Sequence, residues 1–343
     1  MQWRRAVRDR AFVLFCLALL FLPAIASAQD IAPWIAYRDR FVAGDGRVLA
    51  NGNNETHTEG QGWAMLLAES YGDRRTFDRV WTWTHEKLQR RDGALFSWKW
   101  DGKGAVADAN DAADGDILIA WALARAGRQW REPSYAAFAG HIVADIRRKL
   151  LAPVAARLVL LPGAAGFRDG RGVVVNPSYY IYPALNEFAR LAPAPEWARL
   201  RRDGLGLLAE ARFGRWGLTP DWIDIASDGN ISLDERYPPR FGFDAVRVPL
   251  YLIWAGEATP ERLASYLDFW NIFGTRPVPA WADVTDNSVS PYQASAGVEA
   301  IVRLARSYRD PNPPPLPTVG AGDDYYSASL TLLAALARRE MPK

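Results

Sequence analysis

The sequence predicts an all-α fold, and three observations carry that prediction. Apolar residues recur at spacings of three and four in one stretch after another, each bounded by Gly, Pro or Asp. Period-two alternation is confined to residues 173–175 and 158–161, enough for a minor β hairpin in the loops. Of the 343 residues, 49% are hydrophobic and 23% charged, which excludes a disordered or fibrous chain and supplies a sizeable core.

The first element is an export signal. Arg4, Arg5, Arg8 and Arg10 precede an apolar run over residues 11–22, and Pro23 leads to Ala26-Ser27-Ala28, a small-x-small site predicting cleavage after Ala28. The run is well short of the roughly 20 apolar residues that span a bilayer. The mature chain is therefore expected to carry no membrane span and to be periplasmic or secreted. Cys16, the single cysteine, leaves with the signal, so one domain over 29–343 must be stabilised by core packing without disulfides. Cleavage also removes four arginines and Asp9, taking 41 basic and 39 acidic side chains to 37 and 38 and the net charge from +2 to −1. That balance argues against a nucleic-acid partner.

Helical periodicity then predicts helices over 62–71, 112–126, 135–151, 183–191, 200–211, 248–255, 260–269, 294–308 and 327–338. At this spacing the mature chain would hold about a dozen helices of ordinary length. The proline-rich run 311–317 reads as an extended connector between the last two.

Three acidic stretches stand at predicted helix starts. In Thr58-Glu59-Gly60-Gln61-Gly62-Trp63, Thr58 and Gln61 are spaced as a capping box, which places Glu59 in the first turn. Glu59 could simply complement the helix dipole. Yet two glycines there cost about 1 kcal/mol each relative to Ala, a cost that close approach of another chain or a ligand would justify. In Asp108-Ala109-Asn110-Asp111-Ala112-Ala113-Asp114-Gly115-Asp116, Asp111 can cap the helix, which leaves Asp114 and Asp116 surplus to capping. The spacing lacks the glycine and terminal glutamate of a calcium loop. The helix dipole would hold Asp114 ionised, suited to accepting from hydroxyls. In Phe241-Gly242-Phe243-Asp244-Ala245-Val246-Arg247-Val248-Pro249, Asp244 faces Arg247 one turn on, an ion pair that needs no catalysis to explain it.

Together these stretches resemble glycoside hydrolase family 8. The family signature is similar to Ala112-Ala113-Asp114-Gly115-Asp116-Ile117-Leu118-Ile119-Ala120, with Ala113 where the family has Ser or Thr. Glu59-Gly60 resembles the acid-bearing motif and Asp244-Ala245-Val246-Arg247-Val248-Pro249 the base-bearing one. The similarity runs from about Trp34 to Leu336 and takes in Trp98-Lys99-Trp100, Asn176-Pro177-Ser178-Tyr179-Tyr180 and Asp324-Tyr325-Tyr326. Within the family the chain is most similar to exported cellulases that accompany bacterial cellulose synthase. The resemblance implies an (α/α)6 barrel of six inner and six outer helices, an open cleft at one end, and endo-cleavage of β-1,4-glucan with inversion.

Inversion needs one protonated carboxyl at the leaving oxygen and one carboxylate to deprotonate water, roughly 6.5 to 9.5 Å apart. The resemblance makes Glu59 the acid, protonated in a site walled by Trp63, and Asp244 the base, kept anionic by Arg247. Asp114 would bind sugar hydroxyls as a permanently ionised acceptor, with Asp116 and Asn176 as further hydroxyl contacts. His57 reads as a polar residue of the cleft edge. The apolar face of a glucosyl ring packs on aromatic rings, and Trp98 is the first candidate platform, followed by Trp100, Tyr179 and Tyr180. Trp81, Trp121 and Trp254 sit at core spacings. Three histidines and no mature cysteine argue against a catalytic metal, and no cofactor is expected. The reading is of a monomer acting on β-1,4-glucan in functional association with cellulose synthase. The same fold acting on chitosan, mixed-linkage glucan or xylan, and a non-catalytic polysaccharide-binding toroid, are the alternatives.

Overall fold

Eleven α-helices frame the described residues, 30–50 and 54–342, in the computed structural model: α1 (Ala32–Phe41), α2 (Thr58–Ser70), α3 (Arg74–Leu88), α4 (Ala113–Gln129), α5 (Pro133–Lys149), α6 (Tyr182–Leu191), α7 (Pro195–Glu210), α8 (Arg247–Trp254), α9 (Pro260–Asn271), α10 (Ala296–Ser307) and α11 (Tyr325–Glu340). Ile31–Lys343 make one compact unit. The export segment expected over residues 1–28 lies outside the described residues. Among those residues no helix is long and apolar enough to cross a membrane.

Burial sorts the helices into two rings. All eight residues of α8 are buried, and α2, α4, α6, α10 and α11 bury most of theirs, whereas α1 buries only Trp34 and Tyr37. A helix apolar on every side belongs in the interior, and one with a single apolar stripe belongs outside it. The contacts agree. The inner ring closes as α2 against α4, α4 against α6, α6 against α8, α8 against α10, α10 against α11, and α11 back against α2. Outside it, α3 packs on α2, α5 on α4, α7 on α6, α9 on α10, and α1 on α11 and α2.

This is the expected (α/α)6 barrel with one outer position left non-helical. Between α10 and α11 the chain runs through residues 308–324 without a helix. Pro311, Pro313, Pro314, Pro315 and Pro317 remove the N–H groups that a helix there would need. Arg338 holds this strap by donating to the carbonyl of Pro314, and Arg40 by donating 2.8 Å to that of Gly320.

Each of the nine helices predicted from periodicity is present. The helix expected over 135–151 stops at Lys149, because Leu151 begins a strand paired with Leu160. The two helices not anticipated, α1 and α3, are outer ones with narrow buried faces; α3 begins where the Asp73 side chain accepts from Thr76 N at 3.0 Å. The expected hairpin needs correction. Leu151–Val154 pairs with Arg157–Leu160, while Gly172–Val175 pairs antiparallel with the remote Ile223–Ala226, which also carries Ile231–Leu233. The register sets Val175 opposite Ile223, so Asn176 and Trp222 leave the sheet side by side.

Candidate active site

Inner and outer helices alternate along the chain, with the strap 308–324 in place of an outer helix between α10 and α11, so the inner helices run the same way and their N-termini gather at one end. Glu59 lies in the first turn of α2, Asp114 in that of α4, Arg247 opens α8, and Tyr325 and Tyr326 open α11. The loop before α6 brings in Asn176, Ser178 and Tyr179. Helix N-termini carry partial positive charge, which suits a cluster of carboxylates.

The cluster is organised by Arg247, whose side chain is only 3% exposed. Its Nη2 donates to Asp244 Oδ1 at 2.6 Å and to Ser178 Oγ at 3.1 Å, and its Nη1 donates to Glu59. Pairing with Asp244 is as expected; the second arm on Glu59 is not visible in sequence spacing. The other Asp244 oxygen accepts from Asn176 Nδ2 at 3.0 Å, and Asn176 Oδ1 accepts from Ser178 Oγ at 2.7 Å. Trp222 also hydrogen-bonds the Asp244 carboxylate. Burial nevertheless pushes Asp244 upward, against the pull of Arg247 and these donors. Glu59 and Asp244 keep partly exposed side chains, 23% and 28%, so both remain reachable from solvent.

Several expected details are corrected. Thr58 and Gln61 form no capping box: α2 has no side-chain cap, and Gln61 turns inward to accept from Val48 N at 2.6 Å and donate to Thr84 Oγ1 at 2.7 Å. Asp111 likewise does not cap α4 but accepts from Ala164 N and Arg90. Asp114 departs from the expectation of a carboxylate held ionised by the helix dipole. It is 4% exposed, its carboxyl is hydrogen-bonded to Glu59, and burial together with the Glu59 charge holds it well above the usual carboxylate range. Asp116 is fully buried, accepts from Phe96 N at 2.9 Å, and is walled off from any sugar. Tyr180 is a core residue whose hydroxyl accepts from Leu160 N at 3.0 Å, not a platform. Asn176, fully buried, steadies Asp244 and offers no surface to a hydroxyl. Trp63 is buried against Tyr325 and Tyr326, with the Arg247 guanidinium 5.5 Å from its ring.

The two glycines at the start of α2 answer to close packing of inner helices. A Cβ on Gly60 would stand 2.5 Å from Tyr325 Oη, and one on Gly62 2.5 Å from Leu118 Cβ.

Trp98 is half-buried and joined to the catalytic turn: its carbonyl accepts from Thr58 N at 3.0 Å, and His57 lies 5.3 Å from its ring. Trp100 sits on the paired strand edge-on to Trp83. Burial pushes His57 below its ordinary value. Trp121 and Trp254 pack on each other at 4.9 Å in the core, and Trp81 packs on Phe138. Beside Asp244, Trp222 stacks on Tyr237 at 4.1 Å and meets Tyr179 edge-on. Trp222, Tyr237 and Asp221 were not singled out from sequence, because remote strand pairing and a distant turn bring them to Asp244. Tyr326 donates to the carbonyl of Phe243 and ties α11 to the same turn.

Comparison with known proteins agrees with this geometry. The family model for glycosyl hydrolases family 8 matches residues 10–340. A protein of Novacetimonas hansenii named "Probable endoglucanase" is 40% identical over 311 residues, 90% of each chain. The solved endo-β-1,4-glucanase CMCax of Acetobacter xylinum superposes with a TM-score of 0.85 at 39% identity, covering 90% of this chain and 97% of that one. A family 8 endoglucanase of Klebsiella pneumoniae superposes at 0.86 with 38% identity, covering 90% and 99%. With its family-wide match, its barrel and its carboxylates gathered on one arginine, the chain belongs to glycosyl hydrolases family 8 and is a glycoside hydrolase.

Proposed function

We propose that the chain is an exported endo-β-1,4-glucanase that cleaves cellulose with inversion, Glu59 acting as acid and Asp244 as base. The observation that carries this reading is the Arg247 guanidinium, which holds Glu59 on one nitrogen and Asp244 on another at the mouth of the inner ring. Endoglucanases among the similar proteins support the substrate class.

In this mechanism a proton must be stored beside the leaving oxygen. Burial and the neighbouring Glu59 charge push Asp114 up, which favours a proton on Asp114, the carboxyl hydrogen-bonded to Glu59. Glu59, the exposed partner, delivers it as the glycosidic C–O bond breaks. Asp244 takes a proton from the attacking water on the other face, its orientation set by Arg247 and Asn176. Trp98 offers an apolar face to one glucosyl ring, and Tyr179, Trp222 and Tyr237 line the opposite side. The β-1,4-glucan made by a bacterial cellulose synthase is the proposed natural substrate, met by the monomeric enzyme after export and cleavage behind Ala28.

The test uses carboxymethyl-cellulose and soluble cello-oligosaccharides. The purified chain should lower viscosity early while releasing reducing ends, and NMR should show the α-anomer first. Glu59→Gln should abolish turnover while oligosaccharide binding and the melting temperature stay unchanged. Activity confined to chitosan or xylan, or a Glu59→Gln variant near the native rate, would overturn the reading.

A further inference from the structure

Asp221 stands outside every motif that carries the chemistry, yet its carboxylate binds the turn that carries Asp244. A single oxygen, Oδ1, accepts from three backbone amides: Gly242 N at 3.1 Å, Asp244 N at 3.2 Å and Ala245 N at 2.7 Å. Its own amide donates 2.7 Å to the carbonyl of Arg240. The fit is close on the other oxygen too, because a Cβ on Gly242 would lie 2.7 Å from Oδ2. Residues 242–245 lead directly into α8, where Arg247 N and Val248 N bond back to the carbonyls of Asp244 and Ala245. Asp221 therefore does from a distance what a local N-cap does, satisfying amides that the helix cannot.

The neighbours of Asp221 act on the same target. Trp222 hydrogen-bonds the Asp244 carboxylate, and Ile223 pairs with Val175, next to Asn176, whose side chain donates to Asp244. The backbone of Asp244 is thus held by residue 221 and its carboxylate by residues 222 and 176. An accepting carboxylate with three amide donors is a strong, charge-assisted anchor, and it costs burial beside a like charge: desolvation and Asp244 push Asp221 up to about 7.

We propose that Asp221 is the positioning residue of the hydrolytic base, locking the 242–245 turn so that the Asp244 carboxylate meets the attacking water. The proposal rests on the reading of Asp244 as base. It involves no contact of Asp221 with the glucan.

The experiment compares kcat and KM on a soluble cello-oligosaccharide for the native chain, D221A, D221N and D244N, with melting temperatures measured alongside. Loss of the anchor misplaces the base by a fraction of an ångström to an ångström, so D221A should lose about 10²-fold in kcat with KM within about twofold. D221N keeps an accepting Oδ1 and should recover most of that loss, which a merely destabilising change would not do. Should D221A fail to fold, Gly242→Ala displaces the same turn and should show the same kcat-specific loss. D221A with native kcat beside an inactive D244N, a loss borne by KM, or no recovery in D221N would each overturn the positioning role. An active D244N would instead overturn the assignment of Asp244 on which it rests.

Discussion

Asp244 and Arg247 stand one helical turn apart, joined at 2.6 Å, and Arg247 spends its other terminal nitrogen on Glu59, which belongs to a different helix of the inner ring. One planar guanidinium thereby sets the relative position of two carboxylates that the chain separates widely. A lysine could neutralise the charge but cannot present two donors in a fixed fork.

Arg247→Lys should therefore cost about 10²-fold or more in kcat while leaving the fold intact. Steady-state kinetics on a soluble cello-oligosaccharide checks it; a loss below about threefold would mean that the fork does not set the geometry.

Trp98 is half-buried, whereas Tyr180 is a core ring. Trp98→Ala should weaken oligosaccharide binding by about tenfold, near the 1 to 2 kcal/mol expected for a glucosyl face removed from water on an indole. Tyr180→Phe should leave binding unchanged and destabilise the chain by about 1 to 2 kcal/mol, because the amide of Leu160 loses its acceptor. Calorimetric titration and urea unfolding read the two effects.

Gly115 is a contact between the first turns of α4 and α2. An added Cβ would collide with Thr58 Oγ1 and come within 3.0 Å of Glu59 N. Gly115→Ala should cost about 1 to 3 kcal/mol of stability and lower kcat through displacement of Glu59. Full activity at unchanged melting temperature would show that the two helices can part without consequence.

Stability should fall as pH rises from about 4 to 7. Asp221 is raised from 3.8 to about 7 by burial and Asp244, and Asp114 and Asp116 are raised in the same direction. In that window the folded chain binds more protons than the unfolded one, so raising pH favours unfolding. Carboxylates held low, such as Asp73 and Asp145, lose their contribution only below their unfolded value, at more acidic pH. The melting temperature of D221N should depend less steeply on pH across the window than that of the native chain; equal slopes would remove Asp221 from the account.

The sequence by itself predicted nine of the eleven helices among the described residues and brought forward Glu59, Asp114, Asp244 and Arg247, which the structure gathers at one end of the inner ring. Their signals are local: apolar spacing reports burial, and acidic residues with glycines at helix starts report an unusual N-terminus. It also marked residues 311–317 as an extended connector, since proline acts through its own backbone, but not that this connector would stand in place of a sixth outer helix. Only the tertiary structure decided that Trp222 comes to Asp244, that Tyr180 and Asp116 are core residues, and that burial beside the Glu59 charge pushes Asp114 up. Those outcomes depend on which helix ends meet and how far water is excluded. Asp221 shows the limit most clearly: an aspartate after a proline carries no mark of its role until strand pairing and the turn before α8 bring three amides onto one of its oxygens.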